Sequence, residues 1–159
     1  MSLKEQIQTE LTAAMRSGDA LRRDVLRMVT SSAYNLEKRQ QKPLSDDDLV
    51  GVLGREVKTR RESVEAFRKG GREELATKEE AEIAIIQEFL PQALSEEEIR
   101  SLVDEAIKTT GASSARDMGK AMGWLAPRTR GRADGKHVSE LVAQALARAD
   151  LAGHDRGAG

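Results

Sequence analysis

Asp117, Asp134 and His137 are the residues whose types could do acid–base chemistry in this 159-residue chain. Two carboxylates can divide general acid and general base roles, and an imidazole can move protons near neutral pH. Each residue also has a structural role at hand. Asp117 suits the first turn of a helix, where the macrodipole favours negative charge. Asp134 suits the N-cap of the next helix, and His137 then falls in that helix's exposed first turn. The structural roles are the expectation, and no catalytic constellation is visible. The glycines nearby raise phosphate chemistry instead. A phosphate loop needs four residues between its glycines and a Ser or Thr after the lysine, following a buried strand. Gly131-Arg132-Ala133-Asp134-Gly135-Lys136-His137 has one residue too few, a histidine in the hydroxyl position and no strand before it. A dinucleotide fingerprint fails for want of the same strand.

What remains in this stretch is charge. Lys120, Arg128, Arg130, Arg132 and Lys136 surround a turn whose following helix offers free backbone amides. Helix N-termini attract phosphates, and glycines let a backbone come close to a ligand. The alternating Arg128-Thr129-Arg130-Gly131-Arg132 would splay its cations along an extended segment. Such a surface fits an RNA backbone read by shape and charge. Only Trp124 is nearby for stacking, so reading of single-stranded bases is not expected. Ala115, Gly119 and Gly123, spaced by four, are expected to let a neighbouring helix pack closely.

Composition narrows the alternatives. The chain has no cysteine and two histidines, which leaves no thiol nucleophile, disulfide or cysteine metal site, and no metal or other cofactor is expected. One third of the residues are charged and 3% are aromatic. The net charge of −1 conceals segregation: residues 73–98 carry −8 and residues 116–136 carry +4. The acidic stretch offers a second reading, a docking face for a protein partner. No apolar run marks a signal peptide or a membrane span, so a cytoplasmic location is expected.

The elements that position these residues read as helices. Apolar residues recur at three and four, and alternating strand patterns are absent. Ser2 with Glu5, Ser45 with Asp48, and Ser95 with Glu98 have the spacing of capping boxes. They open helices carrying Leu3, Ile7 and Leu11; Leu49, Leu53, Val57, Val64 and Phe67; and Ile99, Leu102, Val103, Ala106 and Ile107. Another helix, from about residue 20 to 39, turns Leu21, Val25, Met28, Val29 and Leu36 inward, with Arg22, Arg23 and Arg27 outward. Thr77 with Glu80 makes a further box, although that helix could reach back to Arg72. It carries Ile83, Ile86 and Leu90. Gly51 and Gly54 inside the third helix each cost about 1 kcal/mol against Ala, which a close helix crossing there would offset. A sixth helix holds Met118, Met122 and Leu125, a loop spans 126–134, and a seventh helix carries Val138, Leu141, Val142, Ala145 and Leu146. The fold class is all-α. An N-terminal helical part (1–91) precedes a C-terminal three-helix part (94–149), and 150–159 is expected to be a disordered tail.

Several runs, taken together and in order, resemble one family. Leu26-Arg27-Met28, residues 58–75 (KTRRESVEAFRKGGREEL), 89–99 (FLPQALSEEEI), 117–122 (DMGKAM) and 131–142 (GRADGKHVSELV) look like the YqeY family. That family is similar to the C-terminal tail of GatB, a subunit of tRNA-dependent amidotransferases. The resemblance covers nearly all of residues 1–149. It implies an all-helical fold and, by kinship, contact with the outer corner of tRNA. The family label is a carbon–nitrogen ligase using glutamine as amido donor, but no catalytic domain accompanies the tail-like region. GatB's tail has a Gly-Lys-Ala-Asn-Pro-like run where this chain has Gly131 to Gly135. Arg132 keeps the positive charge there, while Asp134 sets a negative one beside it. The resemblance implies a non-catalytic tRNA-binding accessory module, with Lys120, Arg128, Arg130, Arg132 and Lys136 as phosphate contacts. Arg22, Arg23 and Arg27 extend that surface only if the first part folds beside the second.

Overall fold

The computed structural model describes residues 1–157, with side chains through Gly153. Among the described residues seven α-helices follow one another: α1 (Leu3–Ser17), α2 (Ala20–Gln40), α3 (Asp46–Lys69), α4 (Glu73–Gln87), α5 (Glu96–Thr110), α6 (Met118–Thr129) and α7 (Gly135–Gly157). One 3-10 turn, Ala115–Asp117, leads into α6. No strand occurs among the described residues, so the fold is all-α. The chain divides into two compact units, Met1–Pro91 and Gln92–Gly159.

The helix starts follow from local chemistry. Ser2, Ser45 and Ser95 each accept a hydrogen bond from the backbone N–H three residues on, and Glu5, Asp48 and Glu98 each accept one back from the capping serine's own N–H. Each box satisfies two donors that the first turn would otherwise leave open. The box read at Thr77 does not form. It lies inside α4, which begins at Glu73 with no side-chain cap. A run of Glu, Leu and Ala in the preceding turn is helical enough to carry the start back.

The N-terminal unit closes over Leu3, Ile7, Leu11, Val25, Leu26, Val29, Leu49, Leu53, Val57, Ile83 and Ile86. Leu26 is fully buried, whereas Met28, expected inside, is 50% exposed. Both are apolar and two positions apart, so they cannot share a helix face, and the packing of α2 selects Leu26. No close crossing offsets the cost of Gly51: a Cβ there would meet nothing within 4 Å. One charged group enters this unit's interior. Arg60 of α3 is 5% exposed. Its guanidinium donates to Glu56 at 2.6 Å, to Glu82 of α4 at 3.1 Å and to the Met28 sulfur at 3.0 Å. A buried cation is tolerable only when paired and hydrogen-bonded in this way.

The C-terminal unit packs α5, α6 and α7 over Ile99, Val103, Ala106, Ala121, Leu125, Val138, Leu141, Val142 and Leu146. Two boundaries differ from the sequence reading. α6 continues through Pro127 to Thr129, so the expected loop 126–134 shrinks to residues 130–134. Pro127 lies in the last turn, where its missing amide frees only the carbonyl of Gly123, and Gly123 is solvent-exposed. At the other end, α7 runs to Gly157, well into the 150–159 stretch expected to be disordered, and 158–159 lie outside the described residues. Ala, Leu and Arg there propagate a helix already nucleated upstream.

Candidate nucleic-acid interface

α6 is built so that one side enters the core and the other meets solvent. Ala121, Leu125 and Thr129, four apart, are buried, and the Thr129 hydroxyl is satisfied by the Leu125 carbonyl at 3.1 Å. The same spacing on another face aligns Lys120, Trp124 and Arg128. Lys120 and Arg128 are exposed and Trp124 is half-buried. The Arg128 guanidinium carbon lies 3.7 Å from the centre of the Trp124 ring. Its Nη1 also donates to the Trp124 carbonyl. The cation is therefore held flat on the indole, a stack worth about 0.5–1 kcal/mol at an exposed site.

Beside this row runs a second one: Gly119, Gly123 and Pro127, all exposed. Gly119 and Gly123, expected from their spacing to pack closely against a neighbouring helix, do not. A Cβ at either would meet nothing within 4 Å. The bundle already fills the Ala121 side of α6, so the glycine row is the outer one.

The five cations singled out in the sequence do not form one cluster. Lys120 and Arg128 share the outer face of α6, about 12 Å apart along the axis. Arg130 caps the C-terminal end of α6 and is exposed. The chain then reverses at Gly131, whose φ of 72° suits a residue without a Cβ. The expected extended Arg-Thr-Arg-Gly-Arg run is thus a helix end and a tight turn. The amides of Arg132 and Ala133 return to the Thr129 carbonyl at 2.9 and 3.0 Å. Arg132 is half-buried, and its Nε donates to the Gln92 carbonyl at 2.9 Å. The Leu94 N–H donates to the Arg132 carbonyl at 2.8 Å. Arg132 therefore ties this turn to the segment entering α5. Lys136 is exposed in the first turn of α7. None of Lys120, Arg128, Arg130 or Lys136 pairs with a carboxylate among the described residues.

The candidate acid–base groups sit in capping positions. Asp117 accepts from the Ser113 N–H at 2.9 Å. That bond, aided by the Lys120 charge, holds its carboxyl below the usual range. Asp134 accepts from the Lys136 N–H at 3.3 Å, and its carbonyl takes the Val138 N–H, so it starts α7. His137 is half-buried and bonds Glu96 at 2.7 Å, which the sequence gave no means of seeing across 41 positions. This bond, with the nearby Arg100 charge, holds the Glu96 carboxyl below its ordinary value. The pair braces the starts of α5 and α7. No group of three or more potential metal ligands occurs among the described residues.

In the N-terminal unit, Arg22 engages Glu10 and Glu88, and Arg23 engages Asp24. Only Arg27 of the three cations considered there remains unpaired among the described residues. The acidic stretch 73–98 is also altered by folding. It is divided between the two units, and Glu73, Glu80, Glu82, Glu88 and Glu96 are held by arginines.

An all-α chain of two helical units, with an exposed basic helix face in the second, is the class that these features define. The family model described as Yqey-like protein matches residues 4–146, and the chain belongs to this YqeY family. It is similar to "Altered inheritance of mitochondria protein 41, mitochondrial" of Pyrenophora tritici-repentis, with 27% identity over 89% of this chain and 79% of that protein. The protein of the same name from Lachancea thermotolerans is 29% identical over 86% of this chain and 76% of its own length. An uncharacterized protein of Schizosaccharomyces pombe is 31% identical over 59% of this chain and 76% of its own. Two of these relatives are named as mitochondrial, which overturns the cytoplasmic expectation. No helix among the described residues is long and apolar enough to cross a membrane.

Proposed function

We propose that this chain is a non-catalytic accessory module that binds tRNA through the outer face of α6 and the turn after it. The observation that carries this reading is the row Lys120, Trp124 and Arg128, with both cations exposed and unpaired among the described residues and the indole half-buried between them. Lys120, Arg128 and Arg130 are the principal phosphate contacts. Lys136 and the outer nitrogens of Arg132 are secondary ones, since the Arg132 Nε is engaged by Gln92. The open glycine row lets a sugar–phosphate backbone approach α6 closely. The resemblance to the GatB tail makes tRNA the RNA of choice and tRNA-dependent amidation the setting, with this chain holding RNA and performing no bond chemistry.

Trp124 is the single tryptophan, so its fluorescence reports on this face directly. Titration with total tRNA is expected to quench it, with an affinity that falls steeply as salt rises. Lys120→Ala with Arg128→Ala is expected to weaken binding and reduce the salt slope by about two. Unchanged affinity and slope in a folded double variant would remove the site assignment. Docking of a protein on the acidic stretch gains nothing from the structure, because five of its carboxylates are already paired.

A further inference from the structure

We propose that the cleft between α2 and α3 in the N-terminal unit binds a phosphate-bearing anion of at least two negative charges, independently of the α6 face. The cleft has a volume of about 660 Å³, within the roughly 300–1,000 Å³ usual for small-molecule sites. Lys38, Arg39 and Arg55 line it together with Ser32, Asn35 and Glu56. Leu36 and Val52 supply the apolar part of the wall.

Three cations thus border a space that contains one carboxylate, and that carboxylate is already engaged. Glu56 accepts from Arg60 at 2.6 Å through one oxygen and from the Ser32 hydroxyl at 3.0 Å through the other. Three arginines elsewhere in the unit, Arg22, Arg60 and Arg68, each take two carboxylates. Lys38, Arg39 and Arg55 take none among the described residues. Other unpaired cations, such as Arg27 and Lys58, do not line the cleft. A position in the last turn of α2 suits Lys38 and Arg39 on dipole grounds alone. Arg55 stands in the interior of α3, where the dipole gives no such reason. Lys38 also lies 5.6 Å above the exposed Tyr34 ring, which restrains it at the rim.

Guanidinium groups pair with phosphate oxygens through two parallel bonds. Two arginines and a lysine around one concavity match a di- or triphosphate better than a single carboxylate. The same chemistry is offered by a free phosphorylated small molecule and by phosphates of an RNA backbone. Amide NMR titrations of the full chain separate them, one with inorganic tripolyphosphate and one with a short RNA oligonucleotide. Tripolyphosphate is expected to give saturable shifts centred on α2 and α3 around the cleft. Arg39→Gln with Arg55→Gln is expected to weaken that binding at least about tenfold, given the worth of charged hydrogen bonds. Shifts from RNA at the same amides, displaced by tripolyphosphate, identify the backbone as the source. Shifts from tripolyphosphate alone identify a small molecule. Absence of saturable cleft shifts with both probes overturns the site, as does undiminished affinity in a folded double variant. The Lys120→Ala, Arg128→Ala protein must keep the tripolyphosphate response; loss of it there refutes the independence of the cleft.

Discussion

Arg60 and Arg128 are the same residue put to opposite uses. Arg60 is buried, and its nitrogens reach two carboxylates and a sulfur from α2, α3 and α4. Arg128 is exposed, meets no carboxylate among the described residues and lies on an indole from its own helix. In the first case charge holds three helices together, and a partner would have nothing left to grasp. In the second the side chain is ordered while its charge stays available. A count of basic residues cannot distinguish these uses. The distribution of carboxylates around each cation can.

The comparison predicts the sharpest loss at the buried end. Arg60→Ala leaves Glu56 and Glu82 without their cation, and a broken buried pair is destabilising by about 3–5 kcal/mol. Urea denaturation followed by circular dichroism should show that loss. A loss under about 1 kcal/mol would mean that water already screens the triad. A smaller effect of opposite sign is expected on the exposed face. Gly119→Ala and Gly123→Ala should each stabilise α6 by up to about 1 kcal/mol, because a Cβ there meets open space. The same pair should weaken tRNA binding if the backbone lies against this row. Stability gained with binding intact would keep the cations and remove the glycines from the interface.

The smallest effect concerns Glu96. Its carboxyl is held low chiefly by the His137 bond, so its titration midpoint, read by carbon NMR, should rise towards the ordinary value in His137→Ala. A depressed carboxyl contributes stability above its unfolded pKa, and the contribution disappears as pH falls through the lower folded value. A midpoint unmoved in the variant would show that Arg100, not His137, sets it.

Local signals were the legible ones. The serine boxes at Ser2, Ser45 and Ser95 act over three residues, and all three helix starts lie where that chemistry puts them. The resemblance carried by the ordered motifs named the family correctly. Partners distant in sequence left no trace: Arg60 meets Glu82 across 22 positions and His137 meets Glu96 across 41. Direction was hidden too. A row of glycines four apart fits a tight helix contact and an open face equally well, and only the burial of Ala121 and Leu125 opposite decides it. The Trp124–Arg128 stack was within reach, since both sit four apart on one helix, but the expected loop at 126–134 concealed it.

That stack has a consequence for recognition. Ordering a free arginine on a ligand removes rotamer freedom, which opposes association. Arg128 has already given up much of that freedom in the folded chain. Replacing it with lysine would leave the number of counterions released on binding unchanged while returning a mobile side chain to the surface. The salt dependence and the strength of the complex, which move together when a charge is deleted, would then part company.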